Sequence, residues 1–589
     1  MFSHVSSLSW TLWLQRMAVV TVTAYSMTSM AYRNPVLPGF HPDPSCTLVK
    51  EWDNTFFCAT SSFNVAPGVP VFASKDLQSF RQIGNVITRP SQLPGLAHTN
   101  GSTSGIWAPS IRFHNGTFWV VTTLVYDDRA QNDSSRWDNI ILKTTNPYAS
   151  DAWSDPVHFT FEGYDTSPYW DEEGDSYIVG SHAWHILEMI QGFNINLNTG
   201  NITGTIYDLW PGTGGIAPEA PHLYHRDGFY YLMIAEGGTG LNHMVTYARS
   251  RDMWGTYEPD PANPVLTNAN TTQYLQTVGH ADIFQDTKGD WWAVALSTRS
   301  GPEYTYYPMG RETVLTPVQW EKDKFPTFIP VRGAEVGPLP PANKDIGGNG
   351  NWAGADDGIT FSPGSSIPMH FVHIRYPDPA AYTVSPPSHP NTLRLAPSIL
   401  NITGLDGRTS PTPQTFVGRR QEHILFTFQV TLQFDSAQDQ AEAGVSVYLN
   451  QLQHFDLGVV TLSPQSAIQA GYSGALSDGT SRYARLRTIT AHSTNGGAMD
   501  PFSKPAILPL GPEVLNTVSL QIEAVNRTTY AFRYKSGSEW TTVGWGNSSQ
   551  VSGGFTGTIL GLFATGNGKN IRDQAYFSSL SYQGNHDVF

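Results

Sequence analysis

A chain of 589 residues exceeds what one hydrophobic core organises, so two domains are expected. Only 14% of the residues are charged and 12% are aromatic, which excludes disorder and suits a strand-rich globular protein. A net charge of −15 with no Lys/Arg run argues against nucleic acid and anionic membrane surfaces as partners.

Residues 1–31 read as an export signal. Met17 to Ala24 is a short apolar stretch after Arg16, and Ser29-Met30-Ala31 has the small-x-small form of a cleavage site. The fit is imperfect, because threonines interrupt the stretch and Met17 is an alternative start. No later segment has the long apolar run of a membrane helix. Glycosylation sequons begin at Asn100, Asn115, Asn132, Asn201, Asn270, Asn401, Asn526 and Asn547, and a secreted, extracellular glycoprotein is expected. Cys46 and Cys58 are the only cysteines, placed evenly about the tip of an expected hairpin at Trp52. Two readings stand: a disulfide across two strands, or a pair of buried thiols.

An internal repeat organises residues 32–336. A turn followed by an aromatic strand recurs as Asp53-Asn54-Thr55-Phe56-Phe57, Asn115-Gly116-Thr117-Phe118-Trp119, Glu173-Gly174-Asp175-Ser176-Tyr177, Asp227-Gly228-Phe229-Tyr230-Tyr231 and Lys288-Gly289-Asp290-Trp291-Trp292. The second turn residue falls at 54, 116, 174, 228 and 289. Asn-Gly and Asp-Gly flanked by aromatics are strong hairpin signals. A period near sixty residues holds four strands and their loops, so the pattern predicts a five-bladed β-propeller, with a β-sandwich as the alternative.

Nine residues before the turn, blades two to five carry Trp107, Asp165, Glu219 and His280; blade one carries Asp43 eleven residues back. Innermost strands converge on a propeller axis, so these five side chains are predicted to meet. Taken singly, Asp43 and Asp165 read as turn residues beside prolines, and Trp107 and His280 as core. Their common phase favours a site, because buried carboxylates are costly unless they are paired or used. Glycoside hydrolysis needs two carboxyl groups in opposite protonation states, and a third nearby raises the acid's pKa.

Residues 337–355, rich in Pro and Gly, read as a linker. In 356–589 the pattern alternates: Phe426, Phe428, Val430, Leu432 and Phe434 on one face, Thr427, Gln429, Thr431 and Gln433 on the other, and again at Val518, Leu520, Ile522 and Ala524. This predicts an antiparallel β-sandwich and an all-β chain.

The motifs Asn34 to Ser45 (reading NPVLPGFHPDPS), Gly105-Ile106-Trp107-Ala108-Pro109, Tyr164-Asp165-Thr166-Ser167, Pro218-Glu219-Ala220-Pro221-His222, Gly279-His280-Ala281 and Gly310-Arg311-Glu312-Thr313 resemble glycoside hydrolase family 43 over nearly the whole mature chain. The resemblance implies inversion of configuration, with Asp43 as general base, Glu219 as general acid and Asp165 tuning and orienting the acid. It implies Trp107, His280 and Arg311 around the sugar, no required cofactor, and in some members an ion, often calcium, near the axial histidine. Arg136 to Ile141, Ala235 to Gly240 and Ser297 to Tyr304 resemble arabinoxylan α-L-arabinofuranosidases of the family, with β-xylosidases as the alternative. Pro168 departs from the pattern. Thr415 to Gln421 resembles the lectin-like sandwich that follows the propeller in part of the family, and Gly553-Gly554-Phe555-Thr556-Gly557 a loop that reaches the pocket, so Phe555 is expected at the entrance.

The expected substrate is arabinoxylan or a xylo-oligosaccharide. Two other functions compete. A non-catalytic glycan-binding protein would have no use for three acids. A retaining five-bladed hydrolase of the fructan-cleaving kind would carry Asn-Asp-Pro-Asn, which is missing.

Overall fold

The computed structural model describes residues 30–405, 412–490, 506–511 and 517–586. Most of the expected leader, residues 1–29, lies outside them. Met30 and Ala31 belong to a short strand, Met30–Arg33, that pairs with Ala334–Gly337.

Among the described residues, five antiparallel sheets follow one another along the chain. The first is Ser45–Val49, Thr55–Ala59, Gly68–Ser74 and Arg81–Ile87. The inner strand of the second is split into Gly105–Ile106 and Ser110–His114, followed by Thr117–Val125, Trp137–Thr144 and Val157–Phe159. The third to fifth begin with the inner strands Gly163–Trp170, Glu219–Arg226 and Leu275–Gln285. The repeated hairpins join inner to second strands as the sequence predicts. Asn115-Gly116 and Asp227-Gly228 both take positive φ, the conformation a two-residue turn needs to follow the strand twist.

In blades three to five the inner strand is irregular where it carries its candidate residue. Pairing shifts register between Tyr164 and Ser167, between Glu219 and His222, and twice between Gln276 and Asp282. Asp43, Asp165 and His280 have φ of 54°, 52° and 47°. A bulge removes a residue from the ladder and re-aims its side chain. Here it re-aims Asp165 and His280, while Asp43 turns in the loop before the first strand, and Asp and His are among the residue types that tolerate this backbone best.

Cys46 and Cys58 face each other across the first hairpin and are joined in a disulfide, twelve residues apart in sequence. Closing a loop of that size stabilises by about 3 kcal/mol through the unfolded chain. Replacing both cysteines by alanine is expected to lower the unfolding free energy by about 2–4 kcal/mol. Urea titration of both proteins tests this, and an unchanged midpoint would exclude a stabilising bond.

Residues 338–351 carry no strand and pack against the first blade, where Arg81 donates to the carbonyls of Gly350 at 2.9 Å and Ile346 at 3.0 Å. Beyond them an eight-stranded and a six-stranded antiparallel sheet face each other. Phe426, Phe428, Val430, Leu432 and Phe434 point into the core between them, with Val518, Leu520, Ile522 and Ala524. The sandwich also reaches across to the propeller: His373–Ile374 pairs with Val65–Ala66 of the first blade.

Candidate active site

One pocket, with a cavity volume of about 150 Å³, opens where the five inner strands begin. Asp43, Trp107, Asp165, Glu219 and His280 all line it, so the structure brings together one residue from each blade. Arg311 and Phe555 line it too, the latter from the sandwich.

Asp43 is deeply buried. Its Oδ1 accepts from Arg311 Nη1 at 2.7 Å and its Oδ2 from Ser61 Oγ at 2.5 Å, with His280 Nδ1 3.6 Å from Oδ1. Burial alone would raise its pKa, but Arg311, His280 and the Ser61 bond outweigh it and hold the carboxyl below its ordinary value. Asp165 accepts from the Ala220 backbone N–H at 3.2 Å. Burial, then the neighbouring Glu219 and Asp43 charges, push it well above the usual range. Glu219 is more open and accepts from the Tyr164 hydroxyl at 3.3 Å. Burial and the Asp43 charge push it up to about 7. At neutral pH Asp43 is therefore ionised and Asp165 holds a proton, while Glu219 stands near the midpoint of its titration.

The walls are aromatic. Trp107 is anchored by its indole N–H to the Thr103 carbonyl at 2.7 Å and meets Tyr164 edge-on. Tyr164 stacks on Trp137 at 5.3 Å. Phe63, Trp107 and Phe555 stand about one ring apart, with 6.0 Å from Phe555 to each of the other two. The Arg311 guanidinium lies 5.4 Å from the Phe63 and Phe555 rings and donates from Nε to the Phe555 carbonyl at 3.0 Å. A side chain of the second domain thus helps to fix the arginine that grips Asp43.

A second tier lies further along the same strands. Arg112 donates to both oxygens of Asp282, at 2.7 and 3.0 Å, and to Ser45 Oγ at 2.9 Å. Its Nη2 is 3.0 Å from His222 Nδ1, and Ser167 Oγ is 2.8 Å from that same nitrogen. Ser45, Arg112, Ser167, His222 and Asp282 come one from each blade. Burial would raise the Asp282 pKa, yet Arg112 holds it at about 2. This bears on the ion that the resemblance allows near His280. Among the described residues no group of three or more His, Cys, Asp or Glu is arranged to hold a metal. Asp282 is already committed to a fixed cation, so these residues do not fit a divalent ion.

Pro168 sits past the bulge, opposite Ile178, and does not line the pocket. Sequence reasoning missed Phe63, Tyr164, Trp184, Ala217, Gly238 and Thr239 in the lining. Tyr164, Gly238 and Thr239 fall inside quoted motifs; Phe63 follows directly on the Ser61-Ser62 pair, and no sequence period marks it. Glu236 also falls inside a quoted motif, but its role was not read from it. Fully buried, it accepts from the N–H groups of Thr213 and Gly215, both at 2.9 Å, and from the Thr246 hydroxyl, tying down the loop that leads to Glu219.

Comparison with known proteins agrees with this geometry. Residues 32–326 match the family model "Glycosyl hydrolases family 43", and residues 359–583 match "Beta xylosidase C-terminal Concanavalin A-like domain". The non-reducing end alpha-L-arabinofuranosidase BoGH43B of Bacteroides ovatus is 30% identical over 95% of this chain and 96% of its own. A xylosidase/arabinosidase of Butyrivibrio fibrisolvens is 32% identical over 92% of this chain and 98% of its own. The solved structure of the Bacteroides ovatus xyloglucan PUL GH43B superposes with a TM-score of 0.79 at 30% identity, covering 94% of this chain and 99% of that one. With three acids of graded protonation in one pocket and both domains matched, this chain belongs to glycosyl hydrolase family 43 and is a glycoside hydrolase.

Proposed function

We propose that the enzyme removes terminal α-L-arabinofuranose from arabinoxylan, one sugar at a time and with inversion. The observation that carries this reading is the pocket: about 150 Å³ holding an ionised Asp43 and a Glu219 whose pKa is pushed up to about 7, so that it keeps its proton on the acid side of neutral. The volume is about five times the roughly 30 Å³ of one water in the liquid, which suits a single pentose ring. Asp43, held ionised by Arg311, draws a proton from the attacking water. Glu219 gives its proton to the leaving glycosidic oxygen. Asp165 orients the acid through the bond it accepts from the N–H of Ala220, the residue after Glu219. Trp107, His280, Arg311 and Phe555 hold the sugar. Arabinose is preferred over xylose because the chain matches an arabinofuranosidase over nearly its full length.

Wheat arabinoxylan and xylobiose are offered in parallel and the released monosaccharide is identified by chromatography. Arabinose from the polymer with xylobiose intact is expected. Xylose from xylobiose would make the enzyme a β-xylosidase, in line with the mixed name of the second relative. The anomer first released, followed by NMR, separates inversion from retention.

The rate also carries a pH signature. kcat/KM is expected to fall above pH about 7, where Glu219 loses its proton. On the acid side it holds to below the ordinary carboxylate range, because Asp43 stays ionised there. A profile flat from neutral to alkaline pH would remove Glu219 from the acid role.

We extend the proposal to export. The Cys46–Cys58 bond and the exposure of every sequon asparagine except the half-buried Asn401 support it. Protein recovered from culture medium should lose mass on treatment with an N-glycosidase; protein found only inside cells and unmodified would end this reading.

A further inference from the structure

Beside Glu219 lies a histidine that no motif marks. His243 is completely buried at the start of the third strand of the fourth blade. Its Nδ1 is 3.0 Å from the Thr277 carbonyl oxygen. A carbonyl only accepts, so Nδ1 carries the hydrogen, and in a neutral imidazole the other nitrogen is then an acceptor. That other nitrogen, Nε2, is buried, has no hydrogen-bond partner, and faces Glu219 Oε1 at 3.8 Å.

Two further features hold this ring. Thr277 takes φ of 58°, an uncommon backbone for a β-branched residue, and it is the turned Thr277 that aims its carbonyl at Nδ1. A Cβ on Gly279 would stand 2.5 Å from His243 Cγ and 2.6 Å from Cδ2 and Cε1, so the flat ring packs directly on glycine backbone. The glycine before His280 is therefore required by His243.

We propose that His243 is a positioning residue for Glu219, an imidazole locked in one tautomer whose free Nε2 lone pair favours the protonated carboxyl and orients its O–H. The two Glu219 oxygens then differ: Oε2 meets a donor, the Tyr164 hydroxyl, while Oε1 meets only an acceptor. A carboxylate finds no donor at Nε2; a carboxylic acid finds its partner. Contacts of this kind are often long before substrate binds and tighten in the complex. The other charged or titratable groups acting on the pair are Asp43, Asp165, Arg311, Tyr164 and His280. Burial, with His280 and Arg311 nearby, pushes the His243 pKa down to about 3, which keeps the imidazole neutral.

The inference rests on Glu219 as general acid, and its test separates the two. His243→Leu removes the acceptor. The alkaline limb of kcat/KM is expected to move down by about one pH unit, the scale of a lost hydrogen bond to the acid. At neutral pH the rate on arabinoxylan should fall by about tenfold, and the rate on an aryl arabinofuranoside with a nitrophenolate leaving group much less, since that group leaves without a proton. An unmoved limb with equal losses on both substrates would overturn the proposal. Nitrogen-15 NMR of the histidines in the unaltered enzyme decides independently, even if the variant does not fold. Protonated Nδ1 and bare Nε2 on His243 at neutral pH are expected, and a protonated Nε2 would overturn it. Glu219→Gln is the reference: if it shows no leaving-group dependence, the acid assignment itself falls.

Discussion

Asp43→Asn is expected to lower the rate on arabinoxylan by about a thousandfold or more, the upper range for a positioned base. The amide keeps the shape and can still accept from Ser61 or Arg311, but it cannot take a proton from water. Good leaving groups should not rescue it, because water must be activated whatever departs. The substitution also removes a negative charge that raises Glu219, so the Glu219 titration should shift to lower pH. The melting temperature should fall modestly, because the Arg311 pair that holds Asp43 ionised is weakened while the amide still accepts a hydrogen bond. A variant with a few per cent of normal activity on the polymer would mean that Asp43 is not the base.

Glu219→Gln should cost about 10² to 10⁴-fold on arabinoxylan, the range for general acid catalysis. The loss is selective. A sugar alkoxide needs a proton to depart, whereas a nitrophenolate does not, so the two substrates should separate by at least an order of magnitude. The alkaline limb near pH 7 should vanish from the residual rate, because the group that titrates there is gone. Equal losses on both substrates would point to a binding role instead.

The architecture was legible because propeller repeats share a phase. Turn residues recurring about every sixty positions marked five hairpins, and counting back from them found the five residues that converge on the pocket. Alternation in 426–434 disclosed the sandwich core, since one face of that strand is buried and the other is not. Phe555 was reachable only through resemblance, for nothing local to Gly553-Gly554-Phe555 shows that a second domain folds back over the first. His243 and Glu236 escaped because they act through geometry without a sequence period. One depends on the left-handed turn of Thr277, the other on a loop of glycines whose shape no propensity predicts. The link from Arg112 to Asp282, which spans 170 positions of sequence, was not legible either.

The bond from Arg311 to the Phe555 carbonyl has a consequence for how the molecule is made. Arg299, clamped to Glu312, donates in the same sense to the Glu422 carbonyl, and Arg420 of the sandwich donates the other way, to the Phe40 carbonyl at 2.8 Å. Arg311, which grips Asp43, is therefore fully seated only after the ribosome has passed residue 555. A chain halted after its fifth blade would own all three acids and still lack a finished pocket. A sandwich that did not present carbonyls at these points would leave buried donors without acceptors, at about 1–3 kcal/mol each. The two halves must be inherited together.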